Sequence, residues 1–143
     1  MNPFRSLHEY EEYLYTLPQR YPVVAASTLV VARRGAAMAT VNGTVIFHSG
    51  YHLVIRERLV FQNGPLMLVR YSYEVWLGQN KMYWYDPQPH PNNPDLALNH
   101  PHHKHVPPDI KHNRIPAPDL SFEEPNLPFL IREVTGLTTG EEK

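Results

Sequence analysis

The chain has 143 residues, 42% of them hydrophobic and 19% charged, with a net charge of −1 and no cysteine. That length and balance predict a globular protein with one domain, 1–143, around a single core. The missing cysteines exclude disulfides, thiolate metal sites and a cysteine nucleophile. The near-zero charge excludes coating of nucleic acid by bulk charge, so any contact with RNA or DNA has to come from a local patch.

The opening residues, MNPFRSLHEYEEYLY, have no basic segment followed by an apolar core, so no signal peptide is expected. The longest apolar run, VVAASTLVVA, is about half of the ~20 residues a membrane helix needs. A cytoplasmic protein without a membrane span is therefore expected. Ser6 followed by Glu9 fits a capping box. Leu7, Tyr10, Leu14 and Leu17 recur at helical spacing and Pro18 and Pro22 follow, which predicts a helix within residues 1–22.

Residues 23–86 read as antiparallel sheet of about five strands. VVAASTLVVA is apolar and β-branched. Asn42-Gly43 stands between AAMATV and TVIFH, a strong hairpin signal. YHLVIRERLVF, LMLVRYSYEVW and KMYWYD follow, separated by QNGP and LGQN. Strict alternation in LMLVRYSYEVW puts Met67, Val69, Tyr71, Tyr73 and Val75 on one apolar face that should meet the core.

Residues 87–124 break the pattern. Nine of the fifteen prolines and six of the nine histidines fall between Pro87 and Pro118, and no period of 2 or 3.6 survives. So long an irregular stretch in a compact domain is ordinarily functional or disordered. Leu96, Leu98, Ile110, Ile115 and Leu120 can pin it to the sheet. Asn126 as N-cap, Pro128 in the first turn and Gly136 at the end predict a helix over 125–136, with a tail at 137–143. The expected fold is α+β: a sheet of about five strands, both helices on one face, and a long His/Pro loop before the last helix.

The chemistry concentrates in NHPHHKHVPP, residues 99–108, with four histidines and a lysine in six residues. Prolines favour extended backbone there, so residues two apart share a face, and His100/His102 and His103/His105 form two His-x-His pairs. Such pairs suit zinc, nickel or copper, with His90, His112, Asp86 or Asp95 as further ligands. Without metal, two imidazoles can cleave RNA through its own 2′-hydroxyl, one as base and one as acid, with a cation on the developing phosphate charge. Arg33, Arg34, Arg56, Arg58 and Arg70 can hold phosphates. Tyr71, Tyr73, Trp76, Tyr83, Trp84 and Tyr85 offer stacking faces, although aromatics on strands are ordinarily core. Arg56 and Arg58 around Glu57 read as a solvated sheet face.

The stretches ARRGAAMATVNGTVIFHSGY, VRYSYEVW, YWYDPQPHP and HPHHKHV occur in an order that resembles the TumE-like toxins of bacterial toxin–antitoxin systems. The matching positions are Arg34-Gly35, Tyr71 and Tyr73, Tyr85-Asp86, His90-Pro91, and Pro101 to His105, the last being the specific part. The resemblance covers roughly residues 23 to 135. It implies a toxin made with a cognate antitoxin and interference with RNA. The leading expectation is the toxin of a type II system acting as a His-dependent endoribonuclease with no required cofactor. His102, His103 and His105 are the acid/base candidates, Lys104 the phosphate-stabilising cation, and Asp86 the group that orients an imidazole. Arg34, Arg70, Tyr71, Tyr73 and His90 are the substrate-binding candidates. One alternative is a hydrolase or phosphodiesterase holding zinc or manganese on His100, His102, His103 and His105. Another is a non-enzymatic module that binds protein or nucleic acid. A second copy of the chain is a further candidate partner.

Overall fold

The computed structural model describes residues 2–61, 64–87, 102–110 and 113–139. A 3₁₀ turn, Pro3–Arg5, leads into α1 (Leu7–Tyr15) and α2 (Leu17–Arg20). Ser6 Oγ accepts the Glu9 backbone N–H at 3.1 Å, so the expected serine cap forms. The single helix expected within residues 1–22 is divided at Thr16. Pro18 then sits in the first turn of α2, where its missing N–H has no helical partner to lose.

Eight strands follow among the described residues, in one sheet: β1 (Val24–Ser27), β2 (Val30–Arg33), β3 (Met38–Phe47), β4 (Tyr51–Val60), β5 (Met67–Leu77), β6 (Asn80–Asp86), β7 (His103–His105) and β8 (Arg114–Pro116). The order across the sheet is β1-β3-β4-β5-β6-β7-β8, with β2 also on β3, and the pairings among the described residues are antiparallel. Three more strands form than the five expected. VVAASTLVVA is divided into β1 and β2, which share one edge of β3, and the His/Pro segment supplies β7 and β8.

Two local signals misdirect the sequence reading. Asn42-Gly43 makes no hairpin; both residues lie inside the ten-residue β3. Gly43 has φ +148°, and a Cβ there would lie 2.7 Å from Leu29 Cα and 2.7 Å from Thr28 O. The glycine admits the β1–β2 connection against β3, where Thr28 and Thr44 exchange hydrogen bonds of 2.9 Å. In β5 the pairing passes from Arg58–Arg70 to Leu59–Leu68, leaving Val69 as a bulge. The bulge reverses the alternation. Leu68 turns to the core, while Met67 and Val69, expected there, are 43% and 44% exposed. Beyond it Tyr71, Tyr73 and Val75 are buried as the pattern predicts.

The last helix, α3 (Leu127–Thr139), buries Leu127, Leu130, Ile131 and Val134 and continues through Gly136. Asn126 does not cap it with its side chain. Its Oδ1 accepts from Ser121 N–H at 2.9 Å, and its Nδ2 donates to the Tyr73 hydroxyl at 3.1 Å and to the Ser121 carbonyl. Helices α1 and α3 cover the same face of the sheet, joining Leu53, Ile55, Leu59, Tyr73 and Val75 in one apolar core. Gly43→Ala is expected to lower unfolding stability by about 1–3 kcal/mol through the forced shift of Thr28–Leu29. An unchanged urea midpoint would show that the connection moves aside freely.

Candidate functional site

Strand β7 turns the histidine cluster into part of the sheet. Its partners on β6 are Trp84 for His105, Tyr85 for Lys104 and Asp86 for His103. Strand alternation therefore sends His103 and His105 to one face and Lys104, with His102 before it, to the other. Tyr85 pairs with Tyr73 of the buried face, so Lys104 is on the helix side. His103, His105, Asp86 and Trp84 are on the outer side. The alternate histidines form the two faces that extended backbone predicts, and the expected catalytic set is divided between them.

On the outer side, His105 Nε2 lies 3.3 Å from Asp86 Oδ1 and its Nδ1 lies 3.1 Å from the Ile110 carbonyl oxygen. The ring stacks on Trp84 at 3.7 Å and 9°. His103 and His105 are 0% and 1% exposed. The Asp86–His105 contact lies beside the segment from Val106 to Ile110.

On the helix side, Lys104 Nζ pairs with Glu133 Oε2 at 3.0 Å and lies 4.3 Å from the Tyr83 ring centre. The Tyr85 hydroxyl donates to the same carboxylate, at 2.8 and 3.0 Å to its two oxygens. Burial and the Glu133 charge raise the pKa of Tyr85 far above its usual value. These groups border a hollow of about 180 Å³ closed by Pro118, Asp119 and Phe129. His102 Nδ1 is 2.6 Å from the Tyr71 hydroxyl, and its ring packs on Phe122 at 4.6 Å.

The remaining candidates are scattered. Arg34 is exposed in the turn after β2, and β4, β5 and β6 stand between β3 and β7, about 19 Å across the sheet. Tyr73 is fully buried and holds the core. Arg70 is exposed on the outer face, where Arg56, Arg58, Thr40, Asn42 and Ser72 join it around a hollow of about 310 Å³. His90 and His100 lie outside the described residues. His102 is across the sheet from His103 and His105, and among the described residues no three His, Asp or Glu side chains gather as a metal-ligand set.

Two important carboxylates were not singled out by the sequence reading. Glu57 is buried, with Tyr10 donating to Oε1 at 2.6 Å and Tyr73 to Oε2 at 2.5 Å. Its signal was present: Leu53, Ile55, Glu57 and Leu59 share one face of β4. Glu133 sits beside the apolar stripe of α3, where it meets Tyr85 and Lys104 only once β7 has joined the sheet.

The sequence model of the family described as toxin TumE matches residues 13–138. The chain belongs to the TumE toxin family. Comparison with curated proteins and with solved structures returns no match. TumE membership makes this chain a toxin of a toxin–antitoxin pair and implies an antitoxin partner. The TumE match runs from within α1 to the last turn of α3, so it takes in both faces of the cluster. No helix among the described residues is long and apolar enough to cross a membrane.

Burial raises the Glu57 pKa above its ordinary 4.5, against the lowering effect of the two tyrosine hydroxyls. A raised folded pKa means that the native state holds this proton where the unfolded chain has released it. Its contribution is full below about 4.5 and is lost as pH rises through the folded value. Glu57→Gln should remove that component, so the stability of the parent relative to the variant should fall as pH rises above 4.5. Denaturant titrations of both proteins at a series of pH values check this, and a constant difference would refute it.

Proposed function

We propose that this chain is the toxin of a type II pair and acts in the cytoplasm by cleaving RNA with His105 and His103, held by Asp86, on the outer face of the sheet. The observation that carries this reading is the Asp86–His105 contact, an imidazole oriented by a buried carboxylate on a face that also presents Arg56, Arg58 and Arg70. With Asp86 fixing Nε2–H, the nitrogen left to react is Nδ1, now occupied by the Ile110 carbonyl. Withdrawal of the Val106–Ile110 segment exposes Nδ1 as a base for the RNA 2′-hydroxyl. The 2′-oxygen then attacks the adjacent phosphorus, and the 5′-oxygen leaves with a proton from the second imidazole. His103, two residues along the same strand face, fills that role. The products are a 2′,3′-cyclic phosphate and a 5′-hydroxyl. No metal enters these steps.

Lys104 is placed differently from the sequence expectation. It faces α3 and is neutralised by Glu133, while the outer-face arginines hold neighbouring phosphates of the same strand. His102, held by Tyr71 and Phe122, anchors the segment to the helix side and takes no part in the chemistry.

Expression of the parent should arrest growth and co-expression of the antitoxin should relieve it. His105→Ala and Asp86→Asn should each lower the RNA cleavage rate by roughly 10²–10⁴-fold, the usual worth of general acid–base catalysis. His102→Ala should lose about 1–3 kcal/mol of stability and keep cutting. Full cleavage by folded His105→Ala and Asp86→Asn proteins would sink this assignment.

A further inference from the structure

We infer that the hollow across β3, β4 and β5 is a binding site for the phosphate backbone of a single-stranded nucleic acid. This deepens the cleavage reading and rests on it only for taking that strand to be substrate. Two rungs of the sheet build the hollow, Thr40–Arg58–Arg70 and Asn42–Arg56–Ser72. Arg58 and Arg70 are directly opposed across the strands, an arrangement that destabilises a sheet unless an anion joins them.

None of the three arginines forms an ion pair among the described residues. The carboxylates that could neutralise them are engaged elsewhere. Glu57 stands between Arg56 and Arg58 in sequence, but alternation turns it to the other face, where Tyr10 and Tyr73 hold it. Glu74, farther along the outer face, pairs with Lys81 at 3.4 Å and accepts from Trp76 Nε1 at 3.0 Å. Asp86 is taken by His105. The Thr40 hydroxyl, which lines the same hollow, is buried and has no hydrogen-bond partner among the described residues. A buried hydroxyl beside three guanidiniums that form no ion pair among the described residues is a donor set for phosphate oxygens.

The shape favours a strand over a small molecule or a duplex. Arg56 and Arg58 are about 6.7 Å apart along β4, with Arg70 one strand, about 4.8 Å, away. That spacing suits successive phosphates of an extended backbone. The hollow is open, and its side-chain groups are charged or polar, so it offers no enclosure for an apolar ligand. No helix or loop among its lining residues projects to enter a duplex groove. The partly buried indoles of Trp76 and Trp84 lie on the same face, with the Lys81 ammonium over both rings as a further cation toward the strand's phosphates. His105 is level with Glu74, so it lies about 10 Å across the sheet and about 13 Å along it from Arg70, a span that one strand of a few nucleotides covers.

The probe is a labelled single-stranded 2′-O-methyl RNA, which cannot be cut through its own 2′-hydroxyl, titrated against the full chain by fluorescence anisotropy. Binding should weaken with salt, with a log–log slope of about −2 for three phosphate contacts. Arg58→Ala with Arg70→Ala should weaken it roughly 10–100-fold and flatten the slope, with the melting temperature held or raised. Duplex RNA should bind more weakly. Equal affinity for single-stranded DNA would uphold the site as a reader of backbone alone. Unchanged affinity in the arginine variants, or equal binding of duplex, would overturn the inference. So would absence of all nucleic-acid binding together with loss of antitoxin pairing in the same variants, which would assign the hollow to an acidic surface of the antitoxin. A parent protein that binds the strand yet never cuts unmodified RNA leaves this site standing and defeats the cleavage reading alone.

Discussion

The structure depends on one buried carboxylate. Glu57 receives hydrogen bonds from Tyr10 on α1 and Tyr73 on β5, and Tyr73 in turn receives one from Asn126 at the entry to α3. Four parts of the chain are thereby joined at one point under the sheet. A half-satisfied buried charge is costly, so such a network specifies one arrangement of helices over strands. It also sets the face on which β4 presents its other residues. With Glu57 inward, Arg56 and Arg58 have to point outward, and the same alternation carries across β5, β6 and β7 to His103 and His105.

The histidine segment shows how a short strand can sort chemistry. In a loop, four imidazoles and a lysine would share one solvent-exposed neighbourhood. As an added strand, residues 102–105 are separated by the thickness of the sheet. Lys104 and His102 become structural contacts with Glu133, Tyr71 and Phe122. His105 meets a carboxylate, a carbonyl and an indole. The sorting needs only period 2 and a register fixed by Tyr85 opposite Lys104.

Much of this was legible in the residues. The α+β class, the antiparallel order, the Ser6 cap and the apolar stripes of α1 and α3 follow from spacing alone. The two faces of the histidine cluster followed from its prolines. What escaped has physical causes. Asn42-Gly43 is a turn signal only when its glycine bends the chain back, whereas here it makes room for Thr28 and Leu29. The Val69 bulge changes which side chains are inward without any mark in composition. Arg56 and Arg58 form the solvated face expected of them, and Glu57 between them is masked by their charge although its period with Leu53, Ile55 and Leu59 places it inside. Lys104 could not be assigned a partner until α3 brought Glu133 beneath β7.

The sheet ends bluntly on both sides. Its long central strands, β3, β4 and β5, have ten or eleven residues, whereas β1 and β2 at one margin have four each and β8 at the other has three, ending at Pro116. Short margins and a proline give an incoming strand few free amides to pair with. The chain is therefore poorly suited to extending its sheet into a neighbour. Among the described residues, neither margin offers a long free edge for strand-to-strand aggregation.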